Sequence, residues 1–166
     1  MQPNIYAIEA IGKGSILAMA KPQSGDQIES VFEAIAARGV TRILSLLEVS
    51  EAAGLGLQYE MQLTQSNGMQ FVQFSIPDLG VPISAQAFSL LVKQQYVDAK
   101  AGHHILVHCR AGIGRTGMVT AGVLMHCGYD ALAAFDRVSK KRGESVPDLP
   151  AQIDWVVENQ QRIIST

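Results

Sequence analysis

Short apolar runs of strand length alternate along the chain with longer segments in which apolar residues recur at helical spacing. The predicted strands cover residues 15–20, 42–47, 69–76 and 104–108. The predicted helices cover residues 27–37, 57–65, 84–100, 116–127, 130–141 and 150–164. This alternation is typical of a mainly parallel sheet that carries helices on both faces. We therefore predict one α/β domain over residues 1–166, built on a sheet of about four to five strands.

Residues that favour helix ends support several of these boundaries. Ser24 and Asp26 are expected to cap the helix that begins at residue 27, and Gly39 is expected to end it. Ser84 is expected to cap the longest helix. On that helix, four apolar or aromatic residues share the face that we expect to pack against the core: Phe88, Leu91, Val92 and Tyr96.

The charge balance argues against some classes of partner. The 166 residues carry a formal net charge of -2, only 17% are charged, and no basic stripe could follow a nucleic-acid backbone. The N-terminus lacks the pattern of a secretory leader, and no apolar run reaches the roughly 18 residues of a membrane span. We predict a cytoplasmic protein that does not bind nucleic acid and has no membrane anchor.

The cysteines and histidines argue against a disulfide framework and against a metal site. Two cysteines, Cys109 and Cys127, cannot form a disulfide framework, and we predict a reducing compartment. Cys127 is expected to be a small core residue on a helix, and Cys109 is the candidate nucleophile. The paired histidines His103 and His104 lack the companions that would complete a metal site, so we expect neither a metal nor another cofactor.

The most distinctive segment is a glycine-rich turn between a buried strand, His104–His108, and a helix that begins near Thr116. A strand, a glycine loop and a helix in this order form an anion site, because free backbone N–H groups meet the positive end of the helix dipole. These features and the cation of Arg115 favour the thiolate form of Cys109. The planar guanidinium of Arg115 can also bind two phosphate oxygens side by side. The predicted phosphate-binding residues are Arg110, Ala111, Gly112, Ile113, Gly114 and Arg115.

The same segment resembles the signature of protein tyrosine phosphatases of dual-specificity size, His-Cys-x2-Gly-x2-Arg-Ser/Thr. His108, Cys109, Gly112, Arg115 and Thr116 match it in full. The resemblance implies that Cys109 forms a phosphocysteine intermediate, that Arg115 clamps the phosphoryl group, and that the Thr116 hydroxyl steadies the departing sulfur. His108 is expected to hold the loop through hydrogen bonds, because an ionised cysteine needs no general base.

The resemblance also implies a carboxylic acid upstream, because a poor leaving group must be protonated as it departs. Asp78 fits this role, in a loop bounded by proline and glycine after a predicted strand, although an aspartate there can also simply cap a turn. Gln152 resembles a glutamine that larger and tensin-type members bring near the bound phosphate, and Asp148 lies close to it in sequence. No segment before Arg42 resembles the phosphotyrosine-recognition loop of the large classical enzymes, which leaves the depth of the pocket open.

We therefore predict a protein phosphatase that hydrolyses phosphotyrosine, with phosphoserine and phosphothreonine as further candidates, and that acts as a monomer on phosphorylated proteins or peptides. A phosphoinositide or another small phosphate monoester is the alternative substrate, but tensin-type lipid phosphatases carry lysines where this chain has Arg110 and Ile113. Low-molecular-weight tyrosine phosphatases resemble the chain only in the Cys-x5-Arg spacing. A phosphate-binding module without turnover would be expected to lack Cys109, Arg115 or Asp78, and all three are present.

Overall fold

The computed structural model describes residues 2–166 and contains one five-stranded sheet with the strand order β1-β2-β5-β3-β4. The strands are β1 (Tyr6–Ile11), β2 (Gly14–Met19), β3 (Arg42–Ser45), β4 (Gln70–Gln73) and β5 (His104–His108). β1 runs antiparallel to β2, whereas the other neighbouring strands pair in parallel. The predicted mainly parallel α/β fold is thereby confirmed.

The helices of residues 2–166 follow the predicted order with two differences. They are α1 (Ile28–Ala37), α2 (Val49–Gly54), α3 (Glu60–Ser66), α4 (Ala85–Ala101), α5 (Gly114–Met125), α6 (Ala131–Arg142), α7 (Pro150–Glu158) and α8 (Gln160–Ser165). The short helix α2 and the antiparallel strand β1 were not predicted, and the predicted last helix is interrupted at Asn159. None of these helices combines the length and the apolar content needed to cross a membrane.

Side chains that alternate along the parallel strands build a separate core on each face of the sheet. Ile43 and Leu106 pack in one core with Phe32 of α1, whereas the neighbouring residues Leu44 and Val107 pack in the other. α1 and α3 cover the first face, and α4 to α8 cover the second. Strands that are buried on both faces explain why their sequences run as continuous apolar segments.

Two predicted helix ends and the predicted core face of α4 agree with the structure, whereas the predicted cap of α1 does not. The Ser84 hydroxyl accepts a hydrogen bond from the Ala87 N–H at 3.1 Å, so the predicted cap of α4 is confirmed. The caps predicted at Ser24 and Asp26 are wrong, because the residue before α1 is Gln27 and no side chain of the described residues caps this helix. Gly39 follows the end of α1 with a φ of +87°, as a helix-terminating glycine does. The four α4 residues predicted to face the core are buried or packed against it: Phe88, Leu91, Val92 and Tyr96.

The core position predicted for Cys127 is wrong. α5 ends at Met125, so Cys127 lies in the turn that follows the helix, where its residue is exposed. The predicted helix extends to residue 127, past the true end of α5, and its spacing puts Cys127 on the buried face. Cys127 and Cys109 are both free thiols.

The topology brings several loops together at one edge of the sheet. Because β2, β3, β4 and β5 are parallel, the segments that follow their carboxyl ends are neighbours. These segments contain Lys21, helix α2, Asp78 and the loop that begins at Cys109. The candidate site lies at this edge.

Candidate active site

The loop from Cys109 to Ile113 joins the buried strand β5 to α5 and is held in an unusual backbone shape. Gly112 has a φ of +73°, and a Cβ atom there would lie 2.5 Å from the Met19 carbonyl oxygen, so only glycine fits. The Arg142 guanidinium donates to the carbonyls of Ala111 and Gly112 at 3.1 and 3.2 Å. The Lys21 N–H donates to the Arg110 carbonyl at 3.1 Å. The loop carbonyls are thus tied to neighbouring segments.

The backbone N–H groups of the same loop are left without partners. From Arg110 to Gly114, none of them donates to an acceptor within residues 2–166. Free N–H groups at the first turn of a helix form a concave site for an anion. The loop lines a cavity of about 290 Å³, which has room for a phosphate monoester.

Cys109 stands at the start of this loop and lines the cavity, although its residue is only 2% exposed. Behind it, the His108 ring lies between two acceptors, with Nε2 2.5 Å from Glu60 Oε2 and Nδ1 3.1 Å from the Cys109 carbonyl oxygen. Both partners accept hydrogen bonds, which fits an imidazolium with a proton on each nitrogen. Burial would lower the pKa of His108, but the charge and the hydrogen bond of Glu60 outweigh it and raise that pKa above 6.5.

Arg115, in the first turn of α5, is buried and is held by Glu51. Its Nη1 and Nη2 atoms donate to the two carboxylate oxygens of Glu51 at 2.8 and 2.9 Å, and Nη1 also donates to the Ile76 carbonyl at 3.0 Å. The hydrogen bond from Arg115, assisted by its charge, lowers the pKa of Glu51 although burial opposes the shift. The guanidinium is therefore fixed in one plane beside the loop.

The structure brings Asp78 to the same guanidinium. Asp78 Oδ1 lies 3.0 Å from Arg115 Nη2, and Oδ2 lies 3.7 Å from Arg110 Nη1. The Asp78 carboxylate is partly exposed and faces the cavity that Cys109 lines. A bound phosphate would compete with Asp78 for Arg115, because both are anions that bind the same guanidinium.

Leu79, directly after Asp78, has a backbone conformation that is costly for its residue type. Its φ is +59°, the only positive value among the non-glycine residues of the described chain. The left-handed region costs a side chain with a Cβ roughly 1–2 kcal/mol. Leu79 is also 72% exposed and lines the cavity.

Gln152 reaches the cavity from α7. Its Nε2 donates to the Gly80 carbonyl at 3.0 Å, which links α7 to the loop that carries Asp78. Its Oε1 is buried and has no partner within residues 2–166. Asp148 lines the same cavity, so the two residues that the sequence placed near the site are both present there.

The hydroxyl of Thr116 is a second buried group without a hydrogen bond among the described residues. Thr116 follows Arg115 in the first turn of α5 and is 1% exposed. A buried hydroxyl without a partner is uncommon, because its desolvation is then uncompensated.

Two acidic residues beside the site were not identified from the sequence: Glu51, which binds Arg115, and Glu60, which binds His108. Glu51 follows β3 on the carboxyl edge of the sheet, and with Glu48 it forms a capping box at the start of α2. An acidic residue at the carboxyl edge of the sheet could therefore have been recognised in the sequence as a candidate site residue. Glu60, at the start of α3, carried no such signal, because only packing shows that it is buried.

A family model and a mouse protein match the chain in sequence. The family model described as "Tc-R-P: Polymorphic toxin system, DSP-PTPase phosphatase" matches residues 17–129. The protein tyrosine phosphatase domain-containing protein 1 of Mus musculus is 33% identical over 121 residues, which are 67% of this chain and 16% of the mouse protein. The chain therefore matches only a small part of that relative.

Solved structures share the fold at low sequence identity. Kinase-associated phosphatase, with its catalytic-site cysteine replaced by serine, has a TM-score of 0.89 at 16% identity, covering 100% of this chain and 98% of its own. PTPMT1 in complex with PI(5)P has a TM-score of 0.76 at 20% identity, covering 97% of each chain. Human DUSP28 has a TM-score of 0.67 at 17% identity, covering 98% of this chain and 97% of its own.

Proposed function

The chain belongs to the DSP-PTPase phosphatase family of polymorphic toxin systems, and on that premise we propose that it hydrolyses phosphotyrosine in proteins or peptides through a phosphocysteine intermediate. The observation that carries the proposal is one cavity lined by Cys109, Arg115 and Asp78, beside a loop whose N–H groups are free of partners within residues 2–166. These groups supply a nucleophile, an anion cradle and an acid within one site.

The first step transfers the phosphoryl group to sulfur. The Cys109 thiolate forms a bond to phosphorus while the bond from phosphorus to the tyrosine oxygen breaks, and Asp78 gives that oxygen its proton. Arg115 and the loop N–H groups bind the equatorial oxygens, where negative charge is held in the transition state. His108, whose ring is bound to Glu60 and to the Cys109 carbonyl, holds the start of the loop in place behind the nucleophile.

The second step hydrolyses the intermediate. Asp78, now ionised, takes a proton from a water that attacks phosphorus, and the bond from phosphorus to sulfur breaks. In this proposal the Thr116 hydroxyl, which has no partner among the described residues, donates a hydrogen bond to the departing sulfur. The unpartnered Oε1 of Gln152 is a suitable acceptor for the attacking water.

A phosphoinositide is the second candidate substrate, and one observation favours it. The solved structure of PTPMT1 in complex with PI(5)P shares the fold. Against it, Arg110 and Arg115 are the only cations among the described residues that line the cavity, and Ile113 stands where a lysine would bind further phosphates. A headgroup with several phosphates would leave charges unpaired at apolar walls.

The proposal is tested with Cys109→Ser, using p-nitrophenyl phosphate and a phosphotyrosine peptide as substrates. Serine keeps the size of the side chain but is a far weaker nucleophile, so turnover should fall to background while the circular dichroism spectrum stays unchanged. Cys127→Ser is the matched control, because Cys127 is exposed and outside the cavity. Retained turnover in Cys109→Ser, or inactivity of the wild-type protein from pH 5 to 7, would contradict the proposal.

A further inference from the structure

We propose that Arg110 is a positioning residue for the general acid, and that it holds the Asp78 carboxylate when a phosphate occupies Arg115. The inference rests on the proposed phosphatase function. It assigns the Arg110 side chain to protonation of the leaving group rather than to binding of the phosphate. It is carried by the hydrogen bonds of Arg115 and by the two cations that Asp78 contacts.

The hydrogen bonds of Arg115 indicate which of its N–H groups a phosphate can use. Nη1 donates to the Glu51 carboxylate and to the Ile76 carbonyl, whereas Nη2 donates to Glu51 and to Asp78. Nε has no acceptor within residues 2–166. The side chain of Glu51 is 12% exposed, but that of Asp78 is 42% exposed and is the easier partner to displace. A phosphate that binds Nε and Nη2 side by side therefore takes the place of Asp78.

Asp78 has one other cation within reach. Its Oδ2 atom lies 3.7 Å from Arg110 Nη1, and both residues line the cavity that Cys109 lines. Arg110 and Arg115 are the only cations that pair with the Asp78 carboxylate among residues 2–166. Once a phosphate has taken Arg115, Arg110 is the cation that remains to keep the acid over the cavity.

The position of Arg110 suits this role. Arg110 directly follows Cys109, and its carbonyl accepts a hydrogen bond from the Lys21 N–H at 3.1 Å, so its backbone is fixed beside the nucleophile. Its guanidinium pairs with no carboxylate other than Asp78 among the described residues. In the free protein such an exposed pair contributes little, because solvent screens it. A substrate that excludes water from the cavity strengthens the attraction between the two side chains.

The contact leaves Asp78 able to act in both steps of the reaction. In the first step Oδ1, released from Arg115, carries the proton to the leaving oxygen, while Oδ2 accepts a hydrogen bond from Arg110. The bond from phosphorus to that oxygen breaks as the oxygen takes the proton, and Asp78 becomes an anion beside Arg110. In the second step the carboxylate, held in the same place, takes a proton from the attacking water.

The experiment compares two aryl phosphates in Arg110→Met of the full chain. Phenyl phosphate has a leaving group that needs a proton, whereas 2,4-dinitrophenyl phosphate releases a stable anion. Loss of the Arg110 charge weakens the binding of both esters alike. Beyond that common loss, kcat/KM for phenyl phosphate should fall by about a further tenfold, because the acid is misplaced. Arg110→Lys keeps a cation at this position and should restore most of the difference between the esters.

A second measurement uses Asp78→Asn as the background. Adding Arg110→Met to it should lower kcat/KM by the same factor for both esters, because no acid is left to position. Arg38→Met is the matched control, because Arg38 is an exposed arginine that does not line the cavity. It should leave kcat/KM for both esters at the wild-type value.

Three outcomes would contradict these expectations. An unchanged kcat/KM for phenyl phosphate in Arg110→Met would overturn the proposal, as would an equal fall for the two esters, which would assign Arg110 to phosphate binding. A difference between the esters that Arg110→Met still produces in the Asp78→Asn background would also overturn it. Wild-type protein without turnover of either ester would instead overturn the phosphatase function itself.

Discussion

Glu60 and His108 form a buried ion pair directly behind Cys109, with Glu60 Oε2 2.5 Å from His108 Nε2. Their side chains are only 3% and 0% exposed. The pair joins the start of α3 to the end of β5, and His108 in turn holds the Cys109 carbonyl. A buried pair of this kind is costly to break, because the remaining partner is left without compensation.

The pair makes stability depend on pH. The pKa of His108 is raised above its ordinary value of 6.5 in the folded protein. Protonation of His108 therefore stabilises the fold fully below pH 6.5. This stabilisation is lost as the pH rises through the pKa of the folded protein. Glu60→Gln removes the charge that raises this pKa and should cost about 1–3 kcal/mol at pH 6. The difference in unfolding free energy between variant and wild type should shrink toward pH 9, measured by urea denaturation at each pH.

Glu33→Gln on the exposed side of α1 makes the same chemical change without a buried partner and should alter stability little at either pH. A difference between Glu60→Gln and wild type that stays constant from pH 6 to pH 9 would contradict the role assigned to His108.

Glu51→Gln should weaken substrate binding and catalysis without unfolding the protein. The variant cannot hold both nitrogens of Arg115 as the carboxylate does, so the guanidinium is less well oriented, and kcat/KM should fall by about 10- to 100-fold. Steady-state kinetics measure this loss. Glu48→Gln is the control, because Glu48 lies in the same capping box and does not contact Arg115. An equal fall of kcat/KM in the two variants would contradict a specific role of Glu51.

The depressed pKa of Glu51 also predicts a pH effect. The folded state favours the ionised Glu51 carboxylate, so Glu51 stabilises the fold fully above pH 4.5. This stabilisation is lost as the pH falls through the lower pKa that Glu51 has in the folded protein. Wild type and Glu51→Gln should therefore differ most in stability near neutral pH and converge in acid. Thermal unfolding between pH 3 and pH 7 checks the direction.

Asp78→Asn should remove the general acid while the nucleophile Cys109 is retained. Turnover of phosphotyrosine peptides should fall by about 10²- to 10⁴-fold, whereas a substrate whose leaving group needs no proton should lose much less. Inorganic phosphate should inhibit the variant more strongly, because Asp78 no longer competes for Arg115. Asp148→Asn, which changes another acid of the same cavity, should have little effect. Equal losses on both substrates would exclude Asp78 as the acid.

Gly112→Ala should distort the anion loop. The added Cβ would lie 2.5 Å from the Met19 carbonyl oxygen, and overpacking of this kind costs about 1–3 kcal/mol in addition to backbone strain. Gly143→Ala is the control, because Gly143 has a similar φ of +80° but a Cβ added there would meet no atom of residues 2–166 within 4 Å. Urea denaturation and vanadate binding should both show a larger loss in Gly112→Ala, and equal losses would mean that backbone strain alone matters.

Part of the fold was predictable because its signals are local. The apolar run His104–His108 matches β5 at both ends, and Ser84 caps α4 as predicted. α2 was missed because a helix of six residues carries little helical periodicity. β1 was missed because its pairing is irregular between Ala7 and Glu9, so its buried and exposed residues do not alternate. Cys127 was misplaced because periodicity does not show where a helix ends.

By itself, the sequence determined the order of strand, glycine loop and helix, and with it the candidate anion loop that carries Cys109 and Arg115, because these depend on neighbouring residues. Only the tertiary structure decided that Glu51 orients Arg115, that Glu60 pairs with His108, and that Leu79 lines the cavity. These relationships join segments far apart in the chain. They arise from how α2, α3 and the Asp78 loop pack at the carboxyl edge of the sheet, which no local pattern encodes.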